Sequence, residues 1–145
     1  MDLSFGPRYE DFRSEVRQFI EENKSKSPQS STSSSIQTRD WQALLIENGY
    51  AARTIPREYG GYGGVPDIVE SRIIAEEFSK QQINTGLGGQ GISMLVPVLL
   101  EMGTEAQKKQ FIRPTIRGEM LWCQGYSEPG AGSDLASLST KAVLD

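Results

Sequence analysis

An all-α fold is what the sequence predicts for most of this chain, with an extended piece at its C-terminal end. Three observations predict it. Apolar residues recur at helical spacing in several segments, glycines and a capping pattern stop and start those segments, and from Met120 onward the helical period is lost. The 145 residues suffice for one ordinary domain, and 37% of them are apolar.

Arg8 to Glu22 reads as the first helix. Tyr9, Phe12, Val16, Phe19 and Ile20 fall on one face, and Asp11, Glu15, Arg17, Glu21 and Glu22 are left for water. Pro7 suits the first helical position, where its missing N–H has no intrahelical partner to lose. Lys24 to Gln37 breaks the pattern: seven of the eleven residues from Ser25 to Ser35 are serine. Such a stretch buries little apolar area against its ordering entropy and reads as a flexible surface connection, with a phosphorylation tail as the functional alternative.

Thr38 or Asp40 is placed to cap a second helix running to Asn48, with Trp41, Leu44, Leu45 and either Ala43 or Ile46 inward; Gly49 would end it in the left-handed conformation. Pro56 to Gly64 holds four glycines in nine residues and reads as a loop. Asp67 to Lys80 is helical again, burying Ile68, Val69, Ile73, Ile74 and Phe78. The glycines at 86, 88, 89 and 91 precede a helix from Ile92 to Met102 that is apolar nearly all round and therefore expected inside. Thr104-Glu105-Ala106-Gln107 is a capping-box pattern, and the helix it opens is expected to stop before Pro114. Met120 to Tyr126 has no helical period and reads as a strand or extended run; Ser127 to Asp134 reads as a loop.

Composition excludes several chemistries. No histidine is present, which removes Ser-His-Asp and Cys-His catalysis and any histidine-containing zinc site. The single cysteine, Cys123, can form no internal disulfide or thiolate cage, so a reducing compartment fits. The charge of −4 argues against sequence-independent nucleic-acid binding. No basic, apolar leader opens the chain, and no apolar run approaches the ~20 residues that span a bilayer, so a cytoplasmic protein with no metal site is expected.

Two glycine-rich stretches bear on ligands. Gly88-Gly89-Gln90-Gly91 opens a helix and could offer backbone N–H groups to an anion, but a helix precedes it, so it is no dinucleotide fingerprint; the other reading is close backbone approach between helices. Ser127-Glu128-Pro129-Gly130-Ala131-Gly132-Ser133-Asp134 combines glycines that allow positive φ with two hydroxyls and no nucleophile–base pair. Its chemistry is reception of a polar ligand, or it is a plain turn.

The run Gly125 to Leu138 resembles the flavin-loop signature of the acyl-CoA dehydrogenase family, with Ser127 to Asp134 agreeing throughout. Ile55-Pro56-Arg57-Glu58-Tyr59-Gly60-Gly61 resembles its Pro-x-x-Tyr-Gly-Gly loop, Gly103 to Lys109 resembles a helix start of the same family, and Glu47-Asn48-Gly49-Tyr50 sits where the family's second helix ends. The resemblance, weakest across the 24–37 connection, implies an N-terminal helical bundle domain over 1–119, followed over 120–145 by the first strand of a β-domain and its flavin loop. It implies FAD as cofactor and α,β-dehydrogenation of an acyl-CoA thioester, the α-proton going to a carboxylate and the β-hydride to flavin N5.

Residue by residue, the resemblance places Gln124, Gly125 and Tyr126 along the flavin's pyrimidine side. It puts the Ser127 hydroxyl at the isoalloxazine edge, and Gly132 and Ser133 at the loop's end, with Ser133 near both FAD and the pantetheine arm. Ile92 to Leu100 maps onto the acyl-pocket helix, although ordinary core explains those residues equally well. The family's catalytic carboxylate has no counterpart here, so this chain is expected to hold no catalytic residue and to be inactive alone; Glu76, Glu77, Glu101 and Glu128 read as solvated or loop residues. An acyl-CoA substrate, an electron-transfer acceptor protein and a homo-oligomer are the implied partners. The alternatives are a same-fold flavoenzyme with other chemistry, such as a monooxygenase or nitroalkane oxidase, and a non-catalytic helical interaction module.

Overall fold

The structure is a computed structural model that describes residues 6–29 and 36–144. Five α-helices carry it: α1 Pro7–Asn23, α2 Ile36–Glu47, α3 Ile68–Lys80, α4 Val96–Met102 and α5 Glu105–Ile116. Pro7 occupies the start of α1, as its fixed φ favours. Val16, Phe19 and Ile20 of α1 meet Trp41 and Leu45 of α2 and Ile73 and Phe78 of α3 in one apolar cluster. A second cluster joins Ile46 of α2 with Ile55, Tyr59, Val96, Leu99, Ile112 and Ile116. Adjacent residues of α2, Leu45 and Ile46, thus feed different clusters, and α2 is the partition between them.

Caps fix the boundaries. Gly49 adopts φ +75°. Its N–H donates to Ile46 O and that of Tyr50 to Leu45 O, at 3.1 and 2.8 Å, the paired bonds of a Schellman stop. Asp67 caps α3 by accepting from the N–H groups of Val69 and Glu70. Thr104 and Gln107 form the reciprocal capping box at the head of α5.

Several expectations need correction. The second helix already runs from Ile36, so Thr38 and Asp40 lie inside it and neither caps its start. The helix α5 does not stop before Pro114 but runs through it. The only bond forfeited is to Gln110 O on the exposed side, and the helix closes two residues later when Gly118 and Glu119 donate to Thr115 O and Pro114 O. The segment leading to Met102 opens as a π-turn over Gly91–Leu95, Val96 donating to Gly91 O. Pro97 follows at once, and a backbone lacking that N–H tolerates the one-residue slip. This segment is not buried all round: Met94, Val98 and Met102 are 51%, 58% and 78% exposed and form a stripe at four-residue spacing.

In α3, Ile68 is 86% exposed while Glu70 and Glu77 are buried. Ile73 and Phe78 are buried as expected, but Ile68 is not, and apolarity alone misses the two carboxylates, because arginines supply the partners that let them go inside. Met120 to Tyr126 is extended but is not a strand, since nothing among the described residues offers it a ladder; the one β-bridge joins Glu128 to Ala131. Finally, the serine-rich connection begins as a packed segment. Lys24–Lys26 form a 3₁₀ turn, Pro28 is buried, and the Ser27 hydroxyl accepts from Asn84 N. Its residues 30–35 lie outside the described residues.

Glu77 is the polar centre of the α1–α3 contact. Its side chain, 3% exposed, accepts from Arg13 Nη1 at 2.6 Å, Arg17 Nε at 2.8 Å and Lys80 Nζ at 3.1 Å. These donors, Arg17 first, hold its pKa at about 2 against the usual 4.5 despite the opposing effect of burial. Because the folded value is depressed, the stabilisation is complete above the usual value and is lost as pH falls from 4.5 toward about 2. Urea midpoints measured across that window should drop, and Glu77→Gln should cost roughly 3 kcal/mol at neutral pH while flattening the acid dependence.

Candidate functional site

A cleft of about 270 Å³ opens where the glycine-rich segment 87–92 faces the end of α5 and residues 120–122. Gln42, buried on α2, holds both walls. Its Nε2 donates to Ile116 O at 2.8 Å, and its Oε1 accepts from Leu87 N at 2.8 Å. Gly86 adopts φ +92°, and a Cβ there would collide with Gln42 Oε1, so only glycine lets the loop come this close.

Trp122 locks the extended segment to the helices. Its Nε1 donates to Thr115 Oγ1 at 2.8 Å, and that hydroxyl donates onward to Phe111 O at 2.6 Å. The indole meets Phe111 edge-on at 5.7 Å. It also lies over Gly91, where a Cβ would come within 2.5 Å of its Cδ1. Of the two readings of Gly88 to Gly91, close approach therefore describes Gly91. One further bond, Gln90 Nε2 to Gln124 Oε1 at 3.1 Å, extends the seam.

Beyond that seam the residues singled out by sequence lie on the surface, and the Glu128–Ala131 bridge brings the two arms of their loop side by side. Gln124, Gly125, Tyr126, Ser127, Gly132 and Ser133 are all exposed, Tyr126 at 84%. Among the described residues, the backbone N–H groups of 124–127 donate to nothing. A Cβ on Gly125, Gly130 or Gly132 would meet nothing within 4 Å, so this face has room for a ligand to approach the main chain. The donor set, bare amides with the Ser127 and Ser133 hydroxyls, fits a flat, oxygen- and nitrogen-rich ring such as FAD presents.

The titratable groups do not fit proton abstraction. Glu76 is held low chiefly by Arg72, Glu105 by the Tyr59 hydroxyl and Lys108, and Glu128 by Thr140 and Ser139. A catalytic base would need a value raised toward neutrality. Tyr59 is pushed up to about 12 by its 2.8 Å bond to Glu105, and Tyr50 to about 12 by burial. Glu76 and Glu77 are ion-paired inter-helix residues, not the solvated face expected of them.

The family profile "Acyl-CoA dehydrogenase, N-terminal domain" matches residues 7–119. The chain belongs to the acyl-CoA dehydrogenase family. Acyl-CoA dehydrogenase IpdE1 of Mycolicibacterium smegmatis is 33% identical over 93% of this chain and 36% of that protein. IpdE1 of Mycobacterium tuberculosis is 40% identical over 74% of this chain and 27% of its own. The crystal structure of the ChsE4-ChsE5 complex from Mycobacterium tuberculosis superposes with TM-score 0.60 at 30% identity, covering all of this chain and 36% of that one. The chain thus spans about a third of the length of the curated relatives it matches. The helical architecture is that of the family's N-terminal domain. No helix among the described residues is long and apolar enough to cross a membrane.

Sequence reasoning missed Gln42, Thr115 and Trp122, which position the cleft of this acyl-CoA dehydrogenase domain. A polar residue between Trp41 and Leu45, and Gly91 five residues before α4 begins, were the available signals. Replacing Gln42 with Met should strand the buried Ile116 carbonyl and the part-buried Leu87 N–H and cost about 2–4 kcal/mol in urea unfolding. Thr115→Val should shift the Trp122 indole N–H resonance and leave that of Trp41, which donates to Asn84 O, in place.

Proposed function

We propose that this chain forms the flavin-receiving half of an FAD-dependent acyl-CoA dehydrogenase and takes part in α,β-dehydrogenation of an acyl-CoA thioester. The observation that carries the reading is the free backbone N–H row of 124–127 beside the Ser127 hydroxyl, on a chain of this family. Bound there, FAD would supply the hydride acceptor.

The chain's own residues then bind and orient. Gln124, Gly125 and Tyr126 present main-chain donors to the pyrimidine side of the ring system. The Ser127 hydroxyl donates at its edge and favours electron-rich flavin, a bond to a charged acceptor contributing ~1.5–3 kcal/mol. Gly132 leaves the main chain open, and the Ser133 hydroxyl serves both the cofactor and the pantetheine arm. The exposed stripe of Met94 and Val98 offers an apolar wall to the acyl chain. None of these groups takes the α-proton; that carboxylate is not among the residues of this chain, and the chain alone is expected to be inactive.

The ChsE4-ChsE5 relative is a complex of two proteins. That supports an assembled form of this chain, in which copies or a related subunit complete the site; an electron-transfer protein would reoxidise the flavin. Titrating isotope-labelled protein with FAD should shift the amide resonances of 124–127 and 132–133 while those of α1 and α3 stay fixed. Ser127→Ala should raise the FAD dissociation constant about fivefold, the loss of one hydrogen bond. Unmoved resonances at millimolar FAD would exclude the reading.

A further inference from the structure

Glu128 lies inside the flavin-loop signature, yet its carboxylate points back at the chain and not outward. Ser139 N donates to Oε2 at 2.8 Å and Thr140 N to Oε1 at 2.7 Å, and the Thr140 hydroxyl also donates to Oε1. The main chain of the same residue closes a turn, Glu128 N to Ala131 O at 3.2 Å and Ala131 N to Glu128 O at 3.1 Å. Between them, Ser137 Oγ donates to Gly130 O at 3.1 Å and to Asp134 O at 2.9 Å. Residues 128–140 therefore form a ring whose two ends are joined by one carboxylate.

We propose that Glu128 is a positioning residue: its carboxylate closes the 128–140 ring and so presents Ser127, Gly132 and Ser133 as a preformed receiving surface for flavin and acyl-CoA. The proposal rests on the flavin reading above and deepens it. The physical reason is preorganisation. A glycine-bearing loop loses much conformational entropy on ordering, and ordering it before the ligand arrives removes that cost from binding. A carboxylate suits the task because both oxygens accept, so two successive N–H groups are satisfied together. Glutamine keeps one accepting oxygen and turns an NH₂ toward the other donor; aspartate is a methylene too short to reach. The same engagement explains why Glu128 is no base: its lone pairs are committed to three donors.

The test uses the 145-residue chain and its Glu128→Gln, Glu128→Asp and Glu128→Ala variants. Amide hydrogen exchange at Ser139 and Thr140 should be at least about tenfold faster in Glu128→Ala, intermediate in Glu128→Gln, and unchanged in α1 and α3, which controls for unfolding. FAD titrated against the same samples should bind about fivefold or more weakly to Glu128→Ala, and the bound shift pattern at 124–127 should change. Equal exchange at Ser139 and Thr140 in all variants overturns the ring closure. Faster exchange with an unaltered FAD constant and shift pattern overturns the positioning role and leaves the flavin reading standing. No FAD shifts even in the unsubstituted chain overturns the flavin reading and the positioning role with it, while the exchange data still decide the ring closure.

Discussion

The side-chain amide of Gln42 is the contact on which the geometry of the cleft depends. It is one of few side chains that can give a hydrogen bond at one end and take one at the other, and here both ends meet backbone. The carbonyl it satisfies belongs to the last turn of α5, where carbonyls have no helical partner. The N–H it satisfies belongs to Leu87, in the loop that leads to the π-turn. A single buried residue of α2 therefore sets the separation of the two walls between which Trp122 then packs. The extended segment inherits its position from this arrangement: α2 holds α5 and the loop, α5 holds Trp122, and residues 123–127 continue from Trp122.

The opposite side of the domain is held by charge as well as apolar contact. Glu77 faces Arg13, Arg17 and Lys80, while Glu70 pairs with Arg8 and Arg53. Buried carboxylates of this kind are strongly destabilising when stripped of a partner, but a hydrophobic pair of similar volume could match their stability. What they add is register. Arg13 and Arg17, one turn apart on α1, can both reach Glu77 only when α1 and α3 sit at one relative height, whereas Val16 and Ile20 tolerate sliding along Ile73.

Much of this was legible in sequence where a single residue fixes a local outcome. Gly49, Pro7 and the Thr104–Gln107 box each act within one turn of chain, and each did in the structure what its chemistry dictates. The failures share a different cause. Ile68 reads as core by hydropathy but is on the outer face of α3, between Asp67 and Glu70, whose side chains meet Arg8 of α1, and Glu77 reads as wet because its arginines are about sixty residues away in sequence. Pro114 reads as a terminator because the rule counts the lost bond without asking which side of the helix loses it. The extended segment 120–126 was recognisable, but a strand is a property of pairs of segments, and no partner is present among the described residues. Of the candidate site, the loop residues were legible by their motif, whereas Gln42, Thr115 and the closing role of Glu128 depend on contacts that no local pattern encodes.

The distribution of unfulfilled chemistry supports the receiving role proposed for this domain. Its perturbed carboxylates are all shifted in one direction, downward, by donors that the fold itself provides. A group that must remove a weakly acidic proton needs the reverse, an environment that makes the charged form unfavourable until it reacts. By contrast, among the described residues the amides of 124–127 have no partner, and Met94, Val98 and Met102 are exposed. Donors and apolar surface kept free on an ordered frame are what the proposed reception of a flat ring and an apolar chain requires. The π-turn follows the same logic. By slipping the backbone one residue before Pro97, it turns the Met94–Val98 face outward while Val96 and Leu99 remain in the core.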